Sequence, residues 1–299
     1  MIISRLQGGL GNQMFQYSLG RYLAFKNKTQ LMLDLVELSD KTHSENFIRR
    51  NYELNVFNIE AKILNEKVLS VFRPAKKFIY RILEKLKIKT RFQKIIFEIG
   101  ENFDPNVLVI RNYAYLIGYW QSEKYFLSIS NLIRRDFTIK SDILGEIEEE
   151  EFFKEFKDSI INTNSVSIHF RRGDFISDEE TNKNHGICSE EYYHKAIGQI
   201  NLRISDPHYF LFSDEPGWLE KNFKIYQPHT IIRGNKDFVD LHLMSLCKHN
   251  ITANSSFSWW GAWLNNNPDK MVIAPKKWFA NESLNDQTID LIPDRWIRL

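Results

Sequence analysis

From residue 166 onward the chain alternates short apolar runs with longer amphipathic ones, and this alternation limits the possible folds more than any other feature. The runs at 166–170, 208–213, 230–233, 250–253 and 271–274 are short, rich in Ile, Val and Phe, and read as strands. Between them, 189–204, 216–222, 237–248 and 258–265 carry apolar residues at helical spacing. Repeated strand–helix–strand units imply a mostly parallel sheet with helices on both faces, because each parallel crossover must pass over the sheet. The chain begins in the same style, with a strand at 2–6, a glycine-rich turn, a helix at 13–26 and a strand at 30–34. Phe15, Leu19, Tyr22 and Leu23 give that helix one apolar face. Residues 38–112 have no legible period. A strand at 113–119 and a helix at 122–135 follow. An acidic helix over 142–158 sets Glu146, Glu148, Glu149, Glu150, Glu151 and Glu155 against Ile147, Phe152, Phe153 and Phe156. The expected architecture is α/β, two such halves facing across a cleft, divided into residues 1–140 and 141–299.

Size and charge narrow the class. A chain of 299 residues is long enough for about two domains with a core that needs no staples. Its net charge of +2 gives no reason to expect a nucleic-acid partner. Cys188 and Cys247 make no Cys-x-x-Cys pair, which excludes a disulfide framework and fits a reducing compartment. The lone His185-to-Cys188 spacing is too little for a structural zinc site. Residues 1–6 read as a first strand and not as a signal peptide, and no run approaches the roughly 18 apolar residues of a membrane span. The expected location is cytoplasmic.

Polar turns follow several of the strands. His169-Phe170-Arg171-Arg172-Gly173-Asp174 ends the first strand of the second half, and two adjacent guanidiniums there suit a phosphate or pyrophosphate. Pairing with Asp174, Asp178 or Glu179 is the alternative. Asp214, in Ser213-Asp214-Glu215-Pro216, either accepts hydrogen bonds from a guanine edge or caps the helix that Pro216 helps to start. The turn Asn254-Ser255-Ser256-Phe257-Ser258 is a second anion cradle or a simple helix cap, and Trp259, Trp260 and Trp263 suit a core better than a sugar platform. Near the start, Gly8-Gly9-Leu10-Gly11-Asn12-Gln13 partly matches a dinucleotide fingerprint, with Asp34 ending the next strand, but Met14 stands where the third glycine belongs. Three polar turns on one sheet edge suggest a nucleoside-diphosphate pocket. Residue chemistry alone leaves the transferred group open.

These same motifs resemble the bacterial α-1,2-fucosyltransferases of glycosyltransferase family 11. The likeness rests on residues 8–17, 169–174, 214–218 and 253–263 and so extends over nearly the whole chain. It implies a GT-B-like fold of two Rossmann-type domains, a GDP-fucose donor, no cofactor or metal, and inversion at the fucose anomeric carbon. In this resemblance Arg171 or Arg172 holds the departing β-phosphate. Asp214 reads guanine near His169, and Ser255, Ser256, Phe257 and Ser258 form the rest of the donor site. Gly9, Gly11, Asn12 and Gln13 face the acceptor, a galactose-terminated glycan that takes fucose on its 2-hydroxyl, in surface polysaccharide or O-antigen synthesis. Asp174, then His169, are the candidate bases. An oxidoreductase using a nicotinamide dinucleotide on the Gly9-x-Gly11 loop is the alternative, and a sugar-binding module built on the tryptophans is a third. Residues 67–94 carry Arg73, Lys76, Lys77, Arg81, Lys85, Lys87, Lys89 and Arg91 among apolar residues, with Glu84 the only acid. Such a stretch suits peripheral contact with an anionic membrane and a lipid-linked acceptor, or a solvated helix face.

Overall fold

The computed structural model describes residues 1–39, 50–64, 94–100, 102–173 and 186–299. It contains two sheets, and every strand pairing within them is parallel. The first is built from β1 (Ile2–Arg5), β2 (Leu31–Asp34), β3 (Lys62–Ile63), β4 (Lys94–Phe97) and β5 (Ala114–Ile117), in the order β3-β2-β1-β5-β4. The second uses β6 (Asn164–Phe170), β7 (Pro207–Ser213), β8 (His229–Ile231), β9 (His249–Ile251), β10 (Val272–Ala274) and β11 (Ile297–Arg298), in the order β11-β10-β9-β6-β7-β8. β6 is buried from its second residue to its last, as expected of a central strand covered on both faces. Its register with β7 runs unbroken from Asn164 opposite Pro207 to Phe170 opposite Ser213.

The helices are α1 (Leu10–Lys26), α2 (Val36–Ser39), α3 (Ser130–Asp136), α4 (Ser141–Glu149), α5 (Glu151–Asn162), α6 (Glu190–Asn201), α7 (Pro216–Asn222), α8 (Asp237–Leu246), α9 (Ser256–Leu264) and α10 (Glu282–Asn285). Several differ from the sequence reading. α1 starts three residues earlier than expected, with Gly9 as its N-cap, so Gly11 lies inside the first turn. The acidic helix is two helices, because Glu150 adopts an extended backbone (ψ 125°) between α4 and α5. Residues 123–129 form 3₁₀ turns ahead of α3 in place of one continuous helix. The stretch without a legible period holds β3 and β4, and the last residues add β11. The basic stretch 67–94 lies outside the described residues except for its final position.

The two sheets share one core. α1 packs against α9, where the Phe15 ring sits 4.5 Å from that of Trp259 and 5.0 Å from that of Trp260. Trp259, Trp260 and Trp263 are fully buried, and each indole N–H has a partner: Leu291 O (2.9 Å), Gly11 O (3.0 Å) and Glu123 Oε2 (2.8 Å). They are core residues, which removes the sugar-platform reading. Arg134 lies over the Trp263 ring (4.2 Å) and donates to the Trp263 and Leu264 carbonyls, closing the C-terminal end of α9.

Candidate active site

In the second sheet the chain runs β6, β7, β8 outward on one side and then returns to place β9 on the other side of β6. Ligands of open α/β sheets bind at such a reversal, beyond the carboxyl ends of the two central strands. Here those ends carry the Arg171-Arg172-Gly173 turn and the Thr252–Ser255 turn into α9.

His169, the second-last residue of β6, is buried, with its ring 5.4 Å from that of Phe257. Burial, aided by the Arg171 charge, pushes its pKa down to about 3, so it is a neutral imidazole at physiological pH. An imidazole this weakly basic and this enclosed is a poor proton acceptor. Its carbonyl accepts from the Tyr193 hydroxyl (3.1 Å). Asp214 organises the turn that follows: it pairs with Arg171 (3.0 Å) and accepts from the backbone N–H groups of Arg172 and Gly173 (3.1 Å each). Arg172 pairs with Glu215 (3.3 Å) and lies over Trp218, its Cζ 3.3 Å from the ring centre. The two guanidiniums therefore diverge. Arg171 is the one that acts electrostatically on both His169 and Glu53, whereas Arg172 is held toward α7. A cavity of about 110 Å³ opens between Arg171, Arg172, Cys188, Tyr193, Trp218 and Phe223, room for one planar ring. Asp174 lies outside the described residues.

Across the reversal, Ser255 is the N-cap of α9 and accepts from the Phe257 N–H (3.3 Å). Ser258 accepts from the Ala253 N–H (3.2 Å) and donates to the Ser255 carbonyl (3.3 Å). Ser256 and Phe257 are half-buried in the first turn, which contains no acidic residue. Asn254 donates to the carbonyls of Gly186 (3.2 Å) and Trp278 (3.1 Å) and accepts from the Cys188 thiol (3.4 Å), tying residues 186–188 to the turn.

The glycine-rich loop meets this turn directly. A Cβ on Gly11 would lie 2.5 Å from the Ser256 carbonyl carbon and 2.6 Å from the Phe257 nitrogen, so the first turns of α1 and α9 meet backbone to backbone. Neither first turn holds an acid, and both helix dipoles favour negative charge there. Gly11 is thus filled by protein, which leaves the dinucleotide alternative without support. Gln13 is fully buried: its amide donates to Gly8 O (2.9 Å) and Asn51 O (2.7 Å), and its carbonyl accepts from Glu53 N–H (3.0 Å). It straps residues 51–53 onto the loop. Gly9 lies beside the Arg50 guanidinium, and Asn12 accepts from Gln121 (2.7 Å) just after β5, across the equivalent reversal of the first sheet. Arg171, Ser256, Phe257, Gly11 and Gln13 therefore approach one junction from both halves, with Gln13 and Gly11 engaged by the protein itself. Glu53, which no sequence signal marked, joins them. Among the described residues, no three His, Cys, Asp or Glu side chains gather as a metal site requires, and no helix is long and apolar enough to cross a membrane.

A family model, Glycosyl transferase family 11, matches residues 1–299. The chain belongs to glycosyltransferase family 11. It is 36% identical over 305 residues to an alpha-1,2-colitosyltransferase of Escherichia coli, covering 100% of this chain and 99% of that one. It is 34% identical over 312 residues to the O-antigen biosynthesis glycosyltransferase WbnK of Escherichia coli, covering 99% of each. A mutant of Arabidopsis thaliana FUT1 solved in complex with GDP superposes with a TM-score of 0.53 at 11% identity, covering 98% of this chain and 74% of that one. The fold is GT-B-like, and the chain is a glycosyltransferase.

Proposed function

We propose that this glycosyltransferase transfers L-fucose, with inversion, from GDP-β-L-fucose to the 2-hydroxyl of a terminal galactose, in a surface polysaccharide or O-antigen pathway. The observation that carries the reading is Arg171, held by Asp214 at the chain reversal beside the Ser255-capped start of α9. A diphosphate there meets a guanidinium and a helix N-terminus where negative charge grows as the sugar departs, an arrangement that acts without a metal ion. In this reading residues 141–299 bind the donor and residues 1–140 face the acceptor. The cavity beside Trp218 takes the guanine ring, and the one lone pair left on Asp214, at Oδ1, accepts from its edge. The reaction runs on the cytoplasmic side, and a lipid-linked acceptor brings the 67–94 stretch to the membrane.

The test is acceptor-dependent GDP release from GDP-fucose with lactose or a β-galactoside, in EDTA, for wild type, Arg171→Ala and Arg172→Ala. Wild-type turnover is expected to survive EDTA. It falls roughly 100-fold or more in Arg171→Ala, as for loss of a group that stabilises developing charge, and less in Arg172→Ala. Equal retention of rate in both variants removes the phosphate-clamp role. A second reading has its own support, because the colitosyltransferase is 36% identical over the full chain. GDP-colitose, run in parallel, decides the donor by the ratio of kcat/KM values.

A further inference from the structure

We infer that Glu53 is the carboxylate that takes the proton from the acceptor hydroxyl during transfer. This rests on the transfer reaction proposed above and supplies a base where His169, buried and neutral, does not.

The position of Glu53 is fixed from both sides. Gln13, fully buried on α1, accepts from the Glu53 N–H (3.0 Å) and donates to the Asn51 carbonyl (2.7 Å), so the backbone on either side of Tyr52 is clamped to one side chain. The carboxyl reaches the Leu10 amide at the start of α1. Its other oxygen, Oε2, is buried and has no hydrogen-bond partner among the described residues. An oxygen kept from water without a donor is costly unless something else supplies one. A sugar hydroxyl is such a donor, and it is the group whose proton must leave.

The charged groups around Glu53 come from every element packed on it. Arg50 lies on its own strap, the Leu10 amide on α1, Arg171 on the turn after β6, and Asp237 at the start of α8. Arg171 and Glu53 thus approach one junction from opposite halves of the molecule. An in-line displacement asks for this division, with a cation on the departing phosphate and a carboxylate on the attacking oxygen. Burial, joined by Asp237, pushes the Glu53 pKa up to about 7 against Arg50, the Leu10 amide and Arg171. A base poised there ionises and still binds a proton well at physiological pH. In the step itself the acceptor oxygen bonds to the anomeric carbon as the anomeric carbon–phosphate oxygen bond breaks. The bonding pair leaves with the diphosphate, and the hydroxyl proton passes to Glu53 and then to solvent.

The experiment compares wild type, Glu53→Gln and Glu53→Asp in sugar-nucleotide transfer across pH 5 to 9, with GDP affinity measured by calorimetry on each protein. Wild-type kcat/KM is expected to rise about tenfold per pH unit below a bend near 7 and then to level off. Glu53→Gln is expected to lose about 100- to 10,000-fold in kcat, to lose the bend, and to bind GDP as well as wild type or better. Glu53→Asp keeps the bend at a reduced rate, which serves if the glutamine variant fails to fold. A Glu53→Gln protein that transfers at the wild-type rate overturns the assignment, as does one that loses GDP affinity in step with transfer. If wild type transfers sugar and Glu53→Gln does so equally, only the base is wrong. If wild type transfers none from either donor, the proposed reaction falls and the base with it.

Discussion

Replacing Gly11 with alanine adds one methyl group at the point where two helices from different sheets meet. Its Cβ would stand 2.5 Å from the Ser256 carbonyl carbon, 2.6 Å from the Phe257 nitrogen and 2.7 Å from the Ser256 oxygen. All three are backbone atoms and cannot rotate away. Ordinary carbon contacts fall near 3.5 Å or beyond, so α1 and α9 must separate by about 1 Å. Overpacking of this kind costs about 1–3 kcal/mol. The hydrogen bond from Trp260 Nε1 to Gly11 O, 3.0 Å, stretches with it, adding up to about 1 kcal/mol. Against this, alanine improves helix propensity by about 1 kcal/mol. The net expectation is a loss of up to about 3 kcal/mol, or a fall in Tm of up to about 5 °C for a chain of 299 residues. Urea titration and thermal melting read it. Gly145→Ala in α4 and Gly198→Ala in α6 are the controls, since nothing lies within 4 Å of either Cβ. Each is expected to gain about 0.5–1 kcal/mol. If Gly11→Ala behaves like these two, the backbone contact between the first turns of the two helices is refuted.

Two other substitutions probe the buried charges. Burial, aided by Lys157 and opposed by Glu148, pushes the His242 pKa down to about 4, so the folded state resists its protonation. Its stability contribution is complete above pH 6.5 and is lost as pH falls toward 4. His242→Gln should therefore gain on wild type over that window by up to about 1.4 kcal/mol per pH unit, and parallel urea-derived stability curves would refute this. Glu123 is buried, accepts from Trp263 Nε1 (2.8 Å) and forms a two-pronged pair with Arg295. Glu123→Ala is expected to cost about 3 kcal/mol in chemical denaturation, and a cost below about 1 kcal/mol, typical of surface pairs, would place that pair in solvent.

The second sheet was legible because its strands are short, apolar and separated by amphipathic helices, so periodicity and punctuation point the same way. Lys62–Ile63 and Lys94–Phe97 were not, since edge strands of two and four residues are too short to show a period. The break at Glu150 is hidden for a different reason. The acidic run keeps its helical pattern across it, and only the packing of α4 and α5 dictates the turn. At the site, Arg171, Asp214 and Ser255 are readable because strand-end turns concentrate functional chemistry. Glu53 is not. Nothing in Tyr52-Glu53-Leu54 sets it apart, and its environment is made by Gln13, Arg171 and Asp237, residues distant in sequence. The glycine loop shows the limit in reverse: the run signals close approach, but only the fold reveals that the approaching group is the backbone of Ser256.

The aromatic core that runs from Phe15 into Trp259 and Trp260 bears on how such enzymes can be recombined. A chimera that grafts the first 140 residues of one relative onto the remainder of another inherits half of a jigsaw on each side of the join. On the proposed assignment of the acceptor side to residues 1–140, acceptor preference will travel with the graft only if the ring at Phe15, the missing side chain at Gly11 and the indoles that meet them are transplanted as one set.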